Sequence, residues 1–163
     1  MPFMRDPAFS KDDIDLVKVL SHSLDNIERL NIFPDLVVSL EMTFPFRAKG
    51  LLDDMISRLT HNGFDSVMAA RRENKSIWKE MDGKIIQLDE GITPRKFKDP
   101  SYIGLKGVGC VTHPEFIRDG SLLGRKIGIY EVNNPYSYLE IRDGEDFDLA
   151  SMLLHKMDKT YVV

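Results

Sequence analysis

The run Asp35-Leu-Val-Val-Ser-Leu-Glu-Met42 constrains the fold more than any other segment, because it is continuous, apolar, valine-rich and flanked by turn signals. Such a run reads as a strand buried on both faces. Helical patterns stand on either side of it. Before it, Ile14, Val17, Leu20, Leu24, Ile27 and Leu30 fall three or four apart and predict one stripe of a helix of about five turns. Ser10 is the expected N-cap, with Asp13 at the third position after it. After it, Leu51, Leu52, Met55, Ile56 and Leu59 mark a second helix over 48–61, stopped by Asn62-Gly63. SVMAAR, at 66–71, is the next strand. Helix, strand, helix, strand in that order predicts a parallel sheet with right-handed crossovers.

The middle of the chain breaks this rhythm. Asp82-Gly83 sits between two short β-prone runs and predicts a hairpin. The polar stretch 89–101, with Pro94 and Pro100, reads as a loop or extended arm. YIGLKGVGCVTH resumes as a strand whose glycines imply close backbone approach. A short helix opened by Pro114, a strand KIGIYEV and an extended PYSYLEI follow. The closing helix carries Phe147, Leu149, Ala150, Leu153 and Leu154 on its apolar side. The expected fold class is α/β: one domain over 1–163, with a mostly parallel sheet, flanking helices and a hairpin and arm inserted at 76–101.

Several function classes drop out. With net charge -4 over 163 residues and both signs interspersed, the chain lacks the basic footprint of a nucleic-acid binder. No apolar run approaches the roughly 20 residues that cross a bilayer, and the first residues lack a signal-type apolar core. A cytoplasmic protein with neither nucleic-acid nor membrane partners is expected. The single cysteine, Cys110, lies in GVGCV and reads as a buried structural thiol. His22, His61, His113 and His155 have no metal-ligand spacing. Gly104, Gly107 and Gly109 lie within a strand rather than in a strand-to-helix turn, so they make no dinucleotide fingerprint.

Two places carry chemistry. In Glu41-Met-Thr43-Phe-Pro45-Phe-Arg47, a hydroxyl, a rigid turn and a cation follow the apolar strand. Open α/β sheets bind ligands beyond the carboxyl ends of such strands. The same residues also suit a threonine-capped turn into the next helix. In Glu140-Ile-Arg-Asp143-Gly-Glu145-Asp146, clustered carboxylates are the hard oxygen ligands that magnesium takes alongside substrate phosphates. Asp143 equally suits a helix cap, with Glu145 and Asp146 complementing the dipole of the first turn.

With the first dozen residues, these places resemble the acylneuraminate cytidylyltransferases, or CMP-sialic acid synthetases, whose fold the CMP-ketodeoxyoctonate synthetases share. PFMRDPAFSKDD matches a family stretch loosely through Arg5, Pro7, Phe9 and Asp12. DLVVSLEMTFPFR resembles the family strand ending Leu-Gln-Pro-Thr-Ser-Pro-Leu-Arg, through Leu40, Thr43, Pro45 and Arg47. FDSVMAAR, LKGVGCV and YLEIRDGEDFDLA follow in the family's order, the last resembling Asp-Ile-Asp-Thr-x-x-Asp-Phe-x-x-Ala. The resemblance runs from about Pro2 to Leu154 and corresponds to the C-terminal two-thirds, roughly, of a nucleotide-diphospho-sugar transferase-like, Rossmann-like domain.

The resemblance implies a reaction in which a sugar's anomeric hydroxyl attacks the α-phosphorus of CTP and releases pyrophosphate. Positioning and charge neutralisation by magnesium would drive it. It places Arg5 and Asp12 near the nucleotide, and Glu41, Thr43 and Arg47 near an acidic sugar. Glu140 and Asp146 would lie near the metal, and Arg95, on an arm reaching across a homodimer interface, would bind the sugar carboxylate. No catalytic residue is assigned. The chain departs from the pattern in lacking a glycine- and lysine-rich phosphate loop. It also has Glu41 for glutamine, Phe44 for serine, Lys106-Gly107 for Asn-Gly, and Glu140-Ile-Arg142 for the metal-binding Asp-Ile-Asp. The expected function is cytidylyltransferase-like sugar activation, incomplete or altered. The alternative is a non-catalytic sugar- or nucleotide-binding or assembly subunit.

Overall fold

The computed structural model describes residues 3–11 and 13–156, apart from the side chain of Arg95. The first helix, α1 (Leu16–Arg29), begins later than Ser10. Its cap is Asp15, whose carboxylate accepts the Val17 N–H at 2.8 Å. Upstream, Asp6 caps a separate 3-10 turn, Pro7–Ser10. Two short aspartate side chains thus divide a segment whose apolar spacing reads as continuous, and Ile14 falls outside the helix.

The strands are β1 (Val37–Ser39), β2 (Ser66–Glu73), β3 (Trp78–Met81), β4 (Lys84–Gln87), β5 (Ser101–Gly104), β6 (Cys110–Thr112) and β7 (Ile127–Glu131). The remaining helices are α2 (Leu51–Asn62), α3 (Pro114–Arg118) and α4 (Gly144–Leu154). Gly63, at φ 58°, ends α2 as its sequence predicts. Asp82 and Gly83, both at positive φ, turn β3 into β4. PYSY, expected to be extended, is a 3-10 turn because Asn134 caps it through the Tyr136 N–H.

The α/β class holds, but the sheet is mostly antiparallel. β6 lies between β1 and β2 and runs against both, β5 runs against the outer half of β2, and only β7 pairs with β2 in parallel. The strands β1, β2 and β7 share one direction, as the helix–strand order predicts; residues 101–112 are the ones reversed. The cause is the insertion: a chain that leaves β2 through a hairpin arm returns alongside it antiparallel, whereas a helical crossover would have returned it parallel. The expectation for β1 also needs correction. It has one paired edge among the described residues, and only Ser39 is buried.

The core sits between α2 and the sheet. Leu51, Met55 and Leu59 pack on Val67, Ala69 and Val111, with Phe44, Val108 and Val132 closing its upper end. On the opposite face α3 meets α1, where Arg118 pairs with Glu28. Cys110 is buried, and its thiol is pushed up to about 11 by that burial. On α4 only Ala150 of the predicted apolar side is buried, and Phe147 is 60% exposed.

Candidate functional site

The strand predicted over YIGLKGVGCVTH is broken in the middle. A single residue of β2, Ala69, closes both ends of the break. Its carbonyl accepts the Leu105 N–H at 2.7 Å, and its N–H donates to the Gly109 carbonyl at 2.9 Å. Residues 105–109 therefore leave the sheet as an excursion and rejoin it with the register on β2 shifted by four residues. Because Cys110 lies opposite Ser39, the excursion stands over the carboxyl end of β1.

Arg47 fastens it there. Its Nε donates to Val108 O at 2.9 Å, and its Nη2 donates to Gly107 O at 2.8 Å and Glu41 O at 2.5 Å. Glu41 adds its own N–H to the Gly107 carbonyl. Close approach explains the glycine: a Cβ at Gly107 would lie 2.5 Å from the Phe44 ring. The phenylalanine that replaces the resembled family's serine is thus part of the core and props this loop.

Two further departures meet at the same place. Lys106 reaches Glu41, with Nζ 4.0 Å from Oε1, so the carboxylate and the cation offset one another. The second sequence cluster joins through the backbone, as the Ile141 N–H donates to the Thr43 carbonyl at 2.8 Å. Segments 41–47, 105–109 and 140–146 therefore share one end of the sheet, where β1 and β7 finish and β2 continues beyond Ala69.

Within 140–146 three of the four carboxylates, Glu140, Asp143 and Asp146, are already engaged. Arg142 grips Glu140 with Nε at 2.9 Å and Nη2 at 2.5 Å, which holds its guanidinium more firmly protonated. Asp146 accepts the Arg142 N–H, and Asp143 caps α4 through the Asp146 N–H, both at 3.0 Å. Among the described residues no group of three histidine, cysteine, aspartate or glutamate side chains could hold a metal. With Glu140 neutralised by a cation, these residues do not fit a magnesium ion held by the protein.

The other expected site residues lie apart from this cluster. Arg5 is exposed near the amino end, Asp12 lies outside the described residues, and Arg95 opens a 3-10 turn in the arm. Sequence reasoning missed Arg71, the sixth residue of β2, which sits over the Tyr138 ring. Its only sequence signal is a cation ending an apolar strand. A crevice of ≈ 470 Å³ also opens where β7 ends and α2 begins, lined by Ala48, Leu51, Tyr130, Val132 and Asn134 among others. Tyr130 donates to Asp54 at 3.3 Å there, and burial followed by that carboxylate raises its hydroxyl above the ordinary phenolic value.

No protein-family profile matches the chain, and no curated protein matches it. Among solved structures it is similar to 4-diphosphocytidyl-2C-methyl-D-erythritol synthase from Anaerococcus prevotii, with a TM-score of 0.57 and 14% identity. The match covers 82% of this chain and 64% of that one, so the chain spans somewhat under two-thirds of that structure's length. At this identity the likeness establishes the fold alone: a mixed α/β sheet with flanking helices. No helix among the described residues is long and apolar enough to cross a membrane.

Proposed function

We propose that this chain is a cytidylyltransferase-like protein of sugar activation, taking CTP and an acidic sugar at the carboxyl ends of β1 and β2. One observation carries the reading. The three segments that resemble parts of the acylneuraminate cytidylyltransferases, far apart in sequence, share one sheet end, bound to each other by Arg47 and the Thr43 carbonyl. The similar solved structure, a synthase named for a diphosphocytidyl product, agrees with this in kind. In the reaction, the sugar hydroxyl oxygen bonds to the α-phosphorus of CTP, the bond from that phosphorus to the bridging oxygen breaks, and pyrophosphate leaves with the electron pair.

Glu41 and Thr43 would border the sugar, with Lys106 relieving the repulsion between Glu41 and a carboxylated substrate. Arg5 and Asp12 would serve the nucleotide. Arg95 would reach a second copy of the chain across an arm-mediated interface. The test is pyrophosphate release from CTP, magnesium and a panel of acidic sugars, beside calorimetric titration of CTP alone. Release dependent on one sugar supports the reading.

The Arg142–Glu140 pair favours a second reading. A cation closed over the carboxylate that the resembled family gives to metal suits a subunit that binds nucleotide or sugar without turnover. CTP binding with no pyrophosphate release under any sugar would select it. Failure to bind either CTP or any of the acidic sugars would remove both.

A further inference from the structure

Arg71 carries a donor that nothing among the described residues uses. Its side chain shares a sheet face with Val67 and Ala69, so it prolongs the core row to the carboxyl end of β2. The guanidinium carbon lies 5.6 Å from the centroid of the Tyr138 ring. Tyr138 is itself fixed, its hydroxyl donating to Val132 O at 2.6 Å. The Arg71 Nε is buried and has no hydrogen-bond partner among the described residues. The nearest acid does not supply one. Glu73 Oε2 stays 3.8 Å from Arg71 Nη2, while Glu73 Oε1 is occupied by the N–H groups of Asn74 and Lys75 at 2.9 and 2.8 Å.

A buried, unsatisfied donor is rare in a folded protein and calls for an explanation. Here the donor belongs to a planar fork that binds oxyanions through two parallel N–H groups. The fork is held by a ring, is partly open to solvent, and stands where open α/β sheets take their ligands. Lysine in its place would offer a point charge without the fork.

We propose that Arg71 is an oxyanion-binding residue, its Nε–H and one Nη–H taking two oxygens of a phosphate or a carboxylate on the ligand. This rests on the reading of the sheet end as the ligand site. It adds to that reading a specific anchor for the ligand's negative charge.

The test uses the full chain with four probes: inorganic pyrophosphate, CTP, uncharged cytidine and N-acetylneuraminic acid. Binding is measured by calorimetry, and the Arg71 Nε–H resonance is followed by nitrogen-15 NMR. Arg71→Gln and Arg71→Lys are compared with Arg72→Gln, which alters an exposed neighbour. Circular dichroism establishes that each variant is folded.

The expected result is a downfield shift of the Nε–H with one class of anion. Arg71→Gln should weaken that anion by about tenfold to a hundredfold, Arg71→Lys should weaken it less, and Arg72→Gln should leave it unchanged. A response to pyrophosphate and CTP assigns the phosphate; a response to N-acetylneuraminic acid alone assigns the carboxylate. Equal losses for CTP and cytidine in Arg71→Gln would mean a merely structural role and overturn the proposal. CTP bound equally by wild type and Arg71→Gln, with no anion moving the resonance, would overturn it too while the cytidylyltransferase reading stands. If pyrophosphate moves the resonance and CTP fails to bind, the nucleotide reading fails and the Arg71 assignment stands.

Discussion

Arg47 reads in the sequence as a cation at a pocket edge, yet its bonds run inward to carbonyls 60 and 61 residues away and to Glu41. Nothing local to the chain reveals such partners. Removing the guanidinium leaves the Gly107, Val108 and Glu41 carbonyls without it. We predict that Arg47→Met lowers unfolding free energy by about 1–3 kcal/mol in urea titrations. The exposed Arg72→Met should change it by less than about 0.5 kcal/mol. Equal effects would show that the excursion does not depend on Arg47.

Cys110 offers a pH test at the same scale. Burial disfavours its thiolate, so the folded value of about 11 lies above the ordinary thiol value. The folded state therefore favours the protonated form. Its contribution to stability is intact below the unfolded pKa, about 8.5, and declines as pH rises from there towards 11. At pH 8 a thiol with that folded value is about 0.1% thiolate. Labelling by a disulfide reagent at pH 8 should therefore follow unfolding; prompt labelling of the native protein would contradict the burial.

At the scale of elements, the arm depends on its base. A two-stranded hairpin is marginal by itself, and among the described residues β3 and β4 pair only with one another. Below them Lys98 donates to Asp89 at 2.5 Å, and Gln87 donates to the other Asp89 oxygen at 2.7 Å. The Lys98 bond, helped by Gln87 and the lysine's charge, holds the Asp89 carboxyl down at about 2. A depressed carboxyl stabilises the fold above its unfolded value, near 3.9, and loses that effect as pH falls from there to about 2. Fluorescence of Trp78, the chain's one tryptophan, should report the arm loosening in that window. Asp89→Asn should abolish the transition and speed amide exchange over 84–104, with β2 and β7 unaffected.

The hairpin turn, the end of α2 and the three strands of common direction were legible, because turn residues and apolar periodicity are local signals. The reversal of β5 and β6 was not, since neither alternation nor apolarity encodes which way a returning neighbour runs. The start of α1 was misplaced because two aspartate caps compete over one periodic stretch. The meeting of Glu41 with Lys106 was hidden for the same reason as the Arg47 bonds: it exists only once the sheet has formed.

At the scale of the whole molecule, apolar surface is distributed unevenly. One core lies under α2, while Trp78, Ile85, Leu88 and Phe97 on the arm are all more than half exposed. Clustered apolar side chains of this size mark an interaction surface, in keeping with the proposed pairing of two copies through the arm. Sedimentation equilibrium should give a concentration-dependent dimer. Ile85→Asp with Phe97→Asp should shift it to monomer with little change in thermal midpoint. A wild-type monomer at millimolar concentration would rule out the arm as a self-interface.

The break between β5 and β6 has a consequence for how such a chain can diversify. The two ends of the excursion are pinned by the backbone of one residue, Ala69, while the Arg47 side chain holds its middle. Of its five residues only Lys106 is exposed, and that position can be exchanged, as it is against the resembled pattern, whereas Gly107 is confined by the Phe44 ring. If the sheet end takes the proposed ligand, its preference can drift or be grafted at that one exposed position while the backbone pairing that frames it is inherited unchanged.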